Sequence, residues 1–238
     1  MTPFQSHVLV TGSTRGIGRA IAAMLAYRGA RVIGHGRVDG ADALGADLAT
    51  PGAADSLWRR ALDRLDGRID VLINNAGVFE PIDVTAGDPA WRDAWSRTLQ
   101  INLQASADLC RRGVLHWRAT GKPGRIVNIA SRAAWRGDSP DHWHYAASKA
   151  GMVAMTRSIA RAYAADGVLA FAVCPGFVAT EMAPDPQSAD GLRVRGEIPL
   201  GRVATPEEVA SATVYLALDA PAAMTGAALD VNGASYVR

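Results

Sequence analysis

The sequence predicts an α/β fold: one domain on a doubly wound parallel sheet of about seven strands, with helices on both faces. Three observations carry this. Short apolar runs alternate with helical patterns along all 238 residues, with no internal repeat and no linker. The first run leads into a glycine-rich turn and then a helix, an arrangement that presents backbone N–H groups to an anion. Tyr145 and Lys149 stand one helical turn apart at the start of a long helical pattern, so both fall on one face.

Residues 8–10 form an apolar strand closed by Thr11-Gly12. The turn Gly12-Ser13-Thr14-Arg15-Gly16-Ile17-Gly18 follows, then a helix over about 19–28, the closing Gly29, and a second strand at 31–33. Glycine permits both the tight turn and close approach of a phosphate to the helix start. Between Ile33 and Asp47 there is little room for a crossover helix, so a loop is expected, then a very short strand near Asp47-Leu48. Residues 53–65 are helical, with Leu57, Trp58, Ala61, Leu62 and Leu65 on one face. A buried strand at 70–73 ends in Asn74-Asn75-Ala76-Gly77.

One long helix is expected over 89–117, with Trp91, Trp95, Leu99 and Leu103 as core or interface packing. After the turn at 121–124, a strand runs to Ser131. A polar loop over 132–143 leads to the helix that starts at Tyr145 and runs to about residue 165. Residues 168–173 form a strand stopped by Cys174-Pro175-Gly176. The polar stretch 181–199, with Pro184, Pro186 and Gly191, reads as a mobile lid. Thr205 and Glu208 form a capping box for a helix over 206–218, and the last strand covers 227–231. Strand ends in such a sheet gather at one edge, which places Gly12, Asn74, Ser131, Pro175 and Gly176 together.

Composition narrows the function. Apolar residues make up 49% and charged residues 20%, and the net charge of +2 gives no field for nucleic acid or membrane surfaces. No apolar run reaches the roughly 18 residues of a membrane span. Cys110 and Cys174 are expected as free buried thiols. The opening seven residues lack a signal pattern, and the expected compartment is the cytoplasm. His116, His142 and His144 have no Cys or carboxylate at ligand spacing, so no metal is expected.

The Tyr145–Lys149 pair points to proton transfer. A phenol with a pKa of about 10 is a poor proton shuttle at neutral pH. A nearby ammonium favours the phenolate, and lowering the pKa by about 3 units needs roughly 4 kcal/mol. The second strand ends in Gly34-His35-Gly36-Arg37, without the acid that binds a ribose 2′-hydroxyl in NAD sites. Gly36 leaves room there, and Arg37 and Arg15 offer cationic forks for a 2′-phosphate, so NADP(H) is preferred and NAD(H) remains possible.

Six motifs in order resemble the short-chain dehydrogenase/reductase family over essentially the whole chain: Thr11-Gly12-x-x-x-Gly16-x-Gly18, Asn74-Asn75-Ala76-Gly77, Asn102, Ser131, Tyr145-x-x-x-Lys149 and Pro175-Gly176-x-Val178-x-Thr180. Within it, the chain looks most like the 3-oxoacyl reductase and sugar or polyol dehydrogenase branch. The resemblance implies a single-domain Rossmann fold over 1–238 and a catalytic set of Asn102, Ser131, Tyr145 and Lys149. Tyr145 would be the acid in reduction and the base in oxidation. Ser131 would hold the substrate oxygen, Lys149 would bind the nicotinamide ribose, and Asn102 would fix a water linking Lys149 to solvent. Gly12 through Gly18 would hold the cofactor phosphates. Asp47, with Leu48 beside it, matches the adenine contact; Asn74, Ala76 and Gly77 match the stretch passing the adenosine ribose. Pro175, Gly176, Val178 and Thr180 match the carboxamide and pyrophosphate side.

The resulting expectation is an NADP(H)-dependent oxidoreductase that moves hydride between nicotinamide C4 and a carbonyl or secondary alcohol, with a 3-oxoacyl or small ketone substrate. The alternatives are an NAD-dependent sugar or polyol dehydrogenase and, from another class, a non-catalytic nucleotide-sensing protein. Arg132, Trp135, His142 and Phe177 are the candidate substrate-side residues. For Arg132 the simpler expectation is a salt bridge to Asp138 or Asp141; the sharper one is contact with an anionic substrate. A homo-oligomer, a tetramer, is expected from the resemblance and from the apolar surface of the helices at 89–117 and 145–165.

Overall fold

The computed structural model describes residues 5–181 and 188–238. Seven strands form one sheet: β1 (His7–Val10), β2 (Arg31–Gly36), β3 (Ala43–Gly45), β4 (Val71–Asn74), β5 (Gly124–Ile129), β6 (Val168–Pro175) and β7 (Ala228–Val231). Their order is β3-β2-β1-β4-β5-β6-β7, and every pairing is parallel. The chain winds outward from β1 to β3 and returns on the other side of β1 with β4. That reversal opens a crevice above the carboxyl ends of β1 and β4.

Among the described residues, eight α-helices accompany the sheet: α1 (Gly16–Tyr27), α2 (Ala53–Arg64), α3 (Asp88–Leu99), α4 (Ala105–Thr120), α5 (Ala133–Arg136), α6 (Trp143–Tyr163), α7 (Ala189–Gly196) and α8 (Pro206–Val214). Side chains alternate along each strand, so the sheet feeds two cores. Leu9, Leu72 and Ile126 pack on one face with Leu57, Trp58 and Trp117. Val8, Val10, Ile73 and Val127 pack on the other with Ile21, Leu25, Val209 and Val214. Trp117 is fully buried and its indole N–H donates to the Ile69 carbonyl at 2.6 Å. A Cβ at Gly124 would stand 2.0 Å from that indole, so β5 can enter the sheet there only as glycine.

Three local features differ from the sequence expectation. The third strand lies at Ala43–Gly45, ahead of Asp47-Leu48, which follow it in a turn. As expected, no helix joins β2 to β3; residues 37–42 suffice because a three-residue strand needs only a short return path. The Asp39 carboxylate closes this loop, accepting from the Gly45 N–H at 2.8 Å and ion-pairing with Arg60. The long helix over 89–117 is two helices joined by a π-helical turn at Gln100–Gln104. The extra residue in that turn rotates α3 relative to α4, and it contains Asn102. Finally, the polar loop before α6 holds one helical turn, α5.

The capping box of α8 forms as expected: Thr205 Oγ1 accepts from the Glu208 N–H, and Glu208 Oε2 accepts from the Thr205 N–H. Within the expected lid, residues 182–187 lie outside the described residues, and 189–196 form α7. Among the described residues, no helix is long and apolar enough to cross a membrane, and no His/Cys/Asp/Glu group is arranged to hold a metal ion. Cys110 and Cys174 are both buried and unpaired by disulfide.

Candidate active site

A cleft of about 500 Å³ opens above the carboxyl ends of the strands. One end is built by the turn between β1 and α1. Gly12 and Gly16 adopt positive φ (63° and 51°), which a side chain would strain. A Cβ at Gly12 would lie 2.9 Å from the Ala76 Cα, and one at Gly18 would lie 2.1 Å from the Gly12 oxygen. Glycine at these positions therefore keeps the turn flat against α1 and the end of β4.

The turn is fastened by three side chains of the sequence motifs and strand end, Thr11, Asn75 and His35, whose bonds the sequence does not specify. Thr11 Oγ1 accepts from the N–H groups of Asn75 and Ala76, both at 3.0 Å. Asn75 Nδ2 donates to the carbonyls of Thr11 (3.0 Å) and Gly12 (2.9 Å). His35 Nδ1 accepts from the Gly12 N–H at 3.1 Å, which leaves Nε2–H to donate to the Ala46 carbonyl at 3.0 Å. That pattern fixes one neutral tautomer, and burial pulls the His35 pKa down, in keeping with it.

Most of the expected cofactor residues line this cleft: Gly12, Thr14, Arg15, Gly16, Ile17, Arg37, Asp47, Leu48, Ala76, Gly77, Tyr145, Lys149, Pro175, Gly176, Val178 and Thr180. Three do not. Ser13 Oγ accepts from the His35 N–H at 3.0 Å and staples the turn to β2. Gly18 is buried beneath Gly12. Asn74 is still within β4, where its Nδ2 donates to Asn128 Oδ1 at 2.9 Å and Cys110 Sγ at 3.3 Å. Asn75, one residue on, is the asparagine of the doublet that reaches the cleft. Strand alternation is the signal that separates the two.

At the other end stand Ser131, Tyr145 and Lys149. Ser131 follows β5 and its Oγ accepts from the Ala133 N–H at 3.1 Å, starting α5. Tyr145 and Lys149 project from the first turns of α6, with the ammonium 5.7 Å from the phenol ring centroid. Lys149 Nζ donates to the Ile129 carbonyl at 2.9 Å. Phe79 meets Tyr145 edge-on at 4.7 Å and stacks on His142 at 3.8 Å, walling the phenol from the side. Asn102 lies behind this wall rather than on it. Its Oδ1 accepts from the Val78 N–H at 2.8 Å, and its Nδ2 donates to the Val78 carbonyl (3.0 Å) and Ser148 Oγ (3.2 Å). A Cβ at Gly77 would stand 3.3 Å from Asn102 Oδ1 and 3.5 Å from Lys149 Nζ, so the three groups converge.

The electrostatics correct one expectation. Burial pushes the Tyr145 phenol up to about 12, with the Ser131 hydroxyl pulling it down and Asp138 pushing it further up. Lys149 is not among the groups that set this shift. Burial instead draws Lys149 down to about 8. Desolvation dominates at both groups, because both charged forms lose water.

The four candidate substrate-side residues separate. Arg132 and Phe177 line the cleft, and the Arg132 guanidinium sits 4.5 Å over the Phe177 ring. Arg132 does not pair with Asp138 or Asp141; among the described residues it has no ion-pair partner. Trp135 lies away from the cleft, sandwiched by the guanidinium groups of Arg157 (4.8 Å) and Arg238 (4.3 Å). His142 also stands back, supporting Phe79 and sharing a 2.7 Å hydrogen bond with Ser139 Oγ.

A doubly wound sheet with a glycine-rich turn at its switch point, and a Ser, Tyr and Lys at the adjoining strand ends, defines a dinucleotide-binding oxidoreductase site. Residues 12–234 match the family described as enoyl-(acyl-carrier-protein) reductase. The 3-oxoacyl-(acyl-carrier-protein) reductases FabG of Vibrio cholerae and Escherichia coli are each 34% identical to the chain, over 96% of both sequences. The 3-oxoacyl-(acyl-carrier-protein) reductase of Synechocystis is 36% identical over 98% of both. The crystal structure of a 3-oxoacyl (acyl-carrier-protein) reductase from Agrobacterium tumefaciens, with NADP bound, superposes with a TM-score of 0.85 at 32% identity, covering 96% of this chain and 93% of that one. The chain belongs to the short-chain dehydrogenase/reductase family.

Proposed function

We propose that the protein is an NADP(H)-dependent carbonyl reductase of the 3-oxoacyl reductase type, working in reverse as an alcohol dehydrogenase. The observation that carries this is the convergence of Ser131, Tyr145 and Lys149 on one cleft with the glycine turn. The cleft suits a dinucleotide: its turn has no room for Cβ atoms at Gly12 or Gly18, and Arg37 lines it with no ion-pair partner among the described residues. Gly12–Ile17 would hold the phosphates, Asp47 and Leu48 the adenine side, and Val178 and Thr180 the nicotinamide side. The bound nicotinamide supplies or accepts the hydride.

The chain's own residues handle the oxygen. Ser131 and Tyr145 donate to the substrate oxygen, holding and polarising the carbonyl. As negative charge gathers on that oxygen, the phenol gives up its proton to it. The Lys149 ammonium stabilises the phenolate left behind. Asn102 fixes the Val78 backbone and would hold a water that returns protons to Lys149. With Tyr145 at about 12 and Lys149 at about 8, the resting site at neutral pH holds a protonated phenol and an ammonium, the forms that carbonyl reduction needs.

The NAD-dependent alternative is disfavoured by Asp39, the first acid after β2, whose carboxylate is spent on Gly45 and Arg60. A non-catalytic nucleotide sensor would have no use for the intact set of four. We read residues 1–238 as one nucleotide-binding domain, with 181–199 as its lid, in a cytoplasmic homotetramer. The half-buried Trp91 and Trp95 and the exposed Trp143 support an intersubunit face. A panel of ketones, 3-oxoacyl thioesters and sugars, followed through reduced-nicotinamide absorbance with each cofactor, tests the reading. In the same assay Tyr145→Phe should lose at least about 10²-fold in kcat while still binding cofactor. Near wild-type turnover would remove Tyr145 from the mechanism.

A further inference from the structure

At the substrate end, Arg132 carries a charge that no ion pair among the described residues answers. It directly follows Ser131 and is 6% exposed, yet it lines the cleft. Its backbone is fixed, the N–H donating to the Pro175 carbonyl at 2.9 Å. Its guanidinium lies over Phe177, and Nη1 has no hydrogen-bond partner. The acids nearby are engaged elsewhere. Glu197 is shared between Arg193 (2.9 Å) and Arg136 (4.0 Å), and Asp138 accepts from the Ser139 N–H at 2.8 Å. Burial and the like charge of Arg136 work against the Arg132 cation, while Glu197 and Asp138 support it from beyond ion-pair distance. A buried guanidinium with no carboxylate in contact is only partly compensated, and an anion from outside the chain can complete it.

We propose that Arg132 is the specificity residue for a substrate carboxylate, and that the natural substrate is a small oxo acid, or its hydroxy acid, with the carboxylate within a few bonds of the reacting carbonyl. The inference rests on the oxidoreductase reading above. Two features select this class. Arg132 adjoins Ser131, which holds the reacting oxygen, so an anion reaching both must be compact. A planar guanidinium, steadied from one face by Phe177, presents its edge as a two-pronged donor that matches a carboxylate. A neutral ketone, or a thioester whose only charges lie far along its carrier, leaves Arg132 unanswered.

Acetoacetate and methyl acetoacetate share one reacting carbonyl and differ in the anion. Wild-type protein should reduce acetoacetate with a kcat/KM about 10- to 100-fold above that of the ester. Arg132→Met should erase that advantage, mainly through KM, and leave the ester within about two-fold. Arg132→Lys, which keeps the charge without the fork, should retain part of it. Butanoate should compete with the ester in wild type and not in Arg132→Met. Equal losses on both substrates, a wild-type preference for the ester, or no competition by butanoate overturns the assignment; the last two decide it even where neither variant folds. Turnover of the ester or a thioester without the acid refutes only the role of Arg132. No turnover of any carbonyl refutes the oxidoreductase reading itself.

Discussion

The Lys149 ammonium donates to the Ile129 carbonyl at 2.9 Å, tying α6 to the end of β5 two residues before Ser131. The same lysine is 4% exposed, and burial draws its pKa from 10.5 to about 8. The unfolded chain therefore holds this proton more tightly than the folded one. Stability rises with pH between about 8 and 10.5, and the penalty is fully present below about 8. A shift of that size corresponds to about 3 kcal/mol, from which the orphaned Ile129 carbonyl takes about 1. Lys149→Met should thus raise the melting temperature of the ligand-free protein at neutral pH, by about 2–4 °C per kcal/mol, while turnover collapses. Denaturant unfolding should show the gain shrinking toward alkaline pH. A variant less stable than wild type at neutral pH would mean that the tie to Ile129 outweighs desolvation.

The raised phenol and lowered ammonium set the pH profiles. Reduction needs the protonated phenol, which persists to about pH 12, and a charged Lys149, which fades above about pH 8. Its kcat/KM should be flat through neutrality and decline above about 8. Oxidation needs the phenolate and should climb with pH over the same interval. Values of kcat/KM in both directions check this; oxidation fastest below neutrality contradicts the assignment of Tyr145 as the base.

Much of this site was legible in one dimension, and the gaps have physical causes. The parallel sheet follows from alternating strand and helix patterns, and the strand ends place Gly12, Ser131 and Gly176 without further help. The strand Ala43-Leu44-Gly45 has a single fully buried side chain, too little for any periodicity to register. The break at Gln100–Gln104 adds one residue to an otherwise helical pattern and blurs rather than ends it. Asn74 and Asn75 differ only by which side of β4 they leave, which depends on where the strand stops. The direction of the Tyr145 shift depended on burial, and a four-residue spacing states proximity without stating how much water is lost.

The face formed by α3 and the start of α6 should close an oligomer. Among the described residues of α3, Thr98 alone is fully buried, although the helix carries Trp91 and Trp95. Trp91 packs edge-on against Trp143 at 5.7 Å, and Trp143 remains 51% exposed. Aromatic surface of this kind is typical of contact faces. Light scattering at micromolar protein should give a multiple of 25.0 kDa, a tetramer, and Trp143→Glu should reduce it. A wild-type mass of 25.0 kDa rules the tetramer out.

Cofactor choice should turn on Arg37. It follows directly from β2, is exposed, lines the cleft, and has no ion-pair partner among the described residues. Arg15, the other cation at this end, is held by Glu181 at 2.6 Å, but both side chains are more than half exposed and such pairs are worth about 0–1 kcal/mol. Arg15 can therefore turn to a phosphate, whereas Arg37 is already free to do so. Placing an aspartate at Gly36 is a poor test, because a Cβ there would lie 2.6 Å from Thr14 Cγ2 and disturb the glycine turn itself. Arg37→Ala leaves the turn intact. It should raise KM for NADP(H) by about 10- to 100-fold, the loss expected for a charge-assisted phosphate contact, with NAD(H) changed by no more than about two-fold. Equal changes with both cofactors would make Arg37 a solvated surface charge, and a wild-type preference for NAD(H) would mean that the empty acid position at the end of β2 does not decide between them.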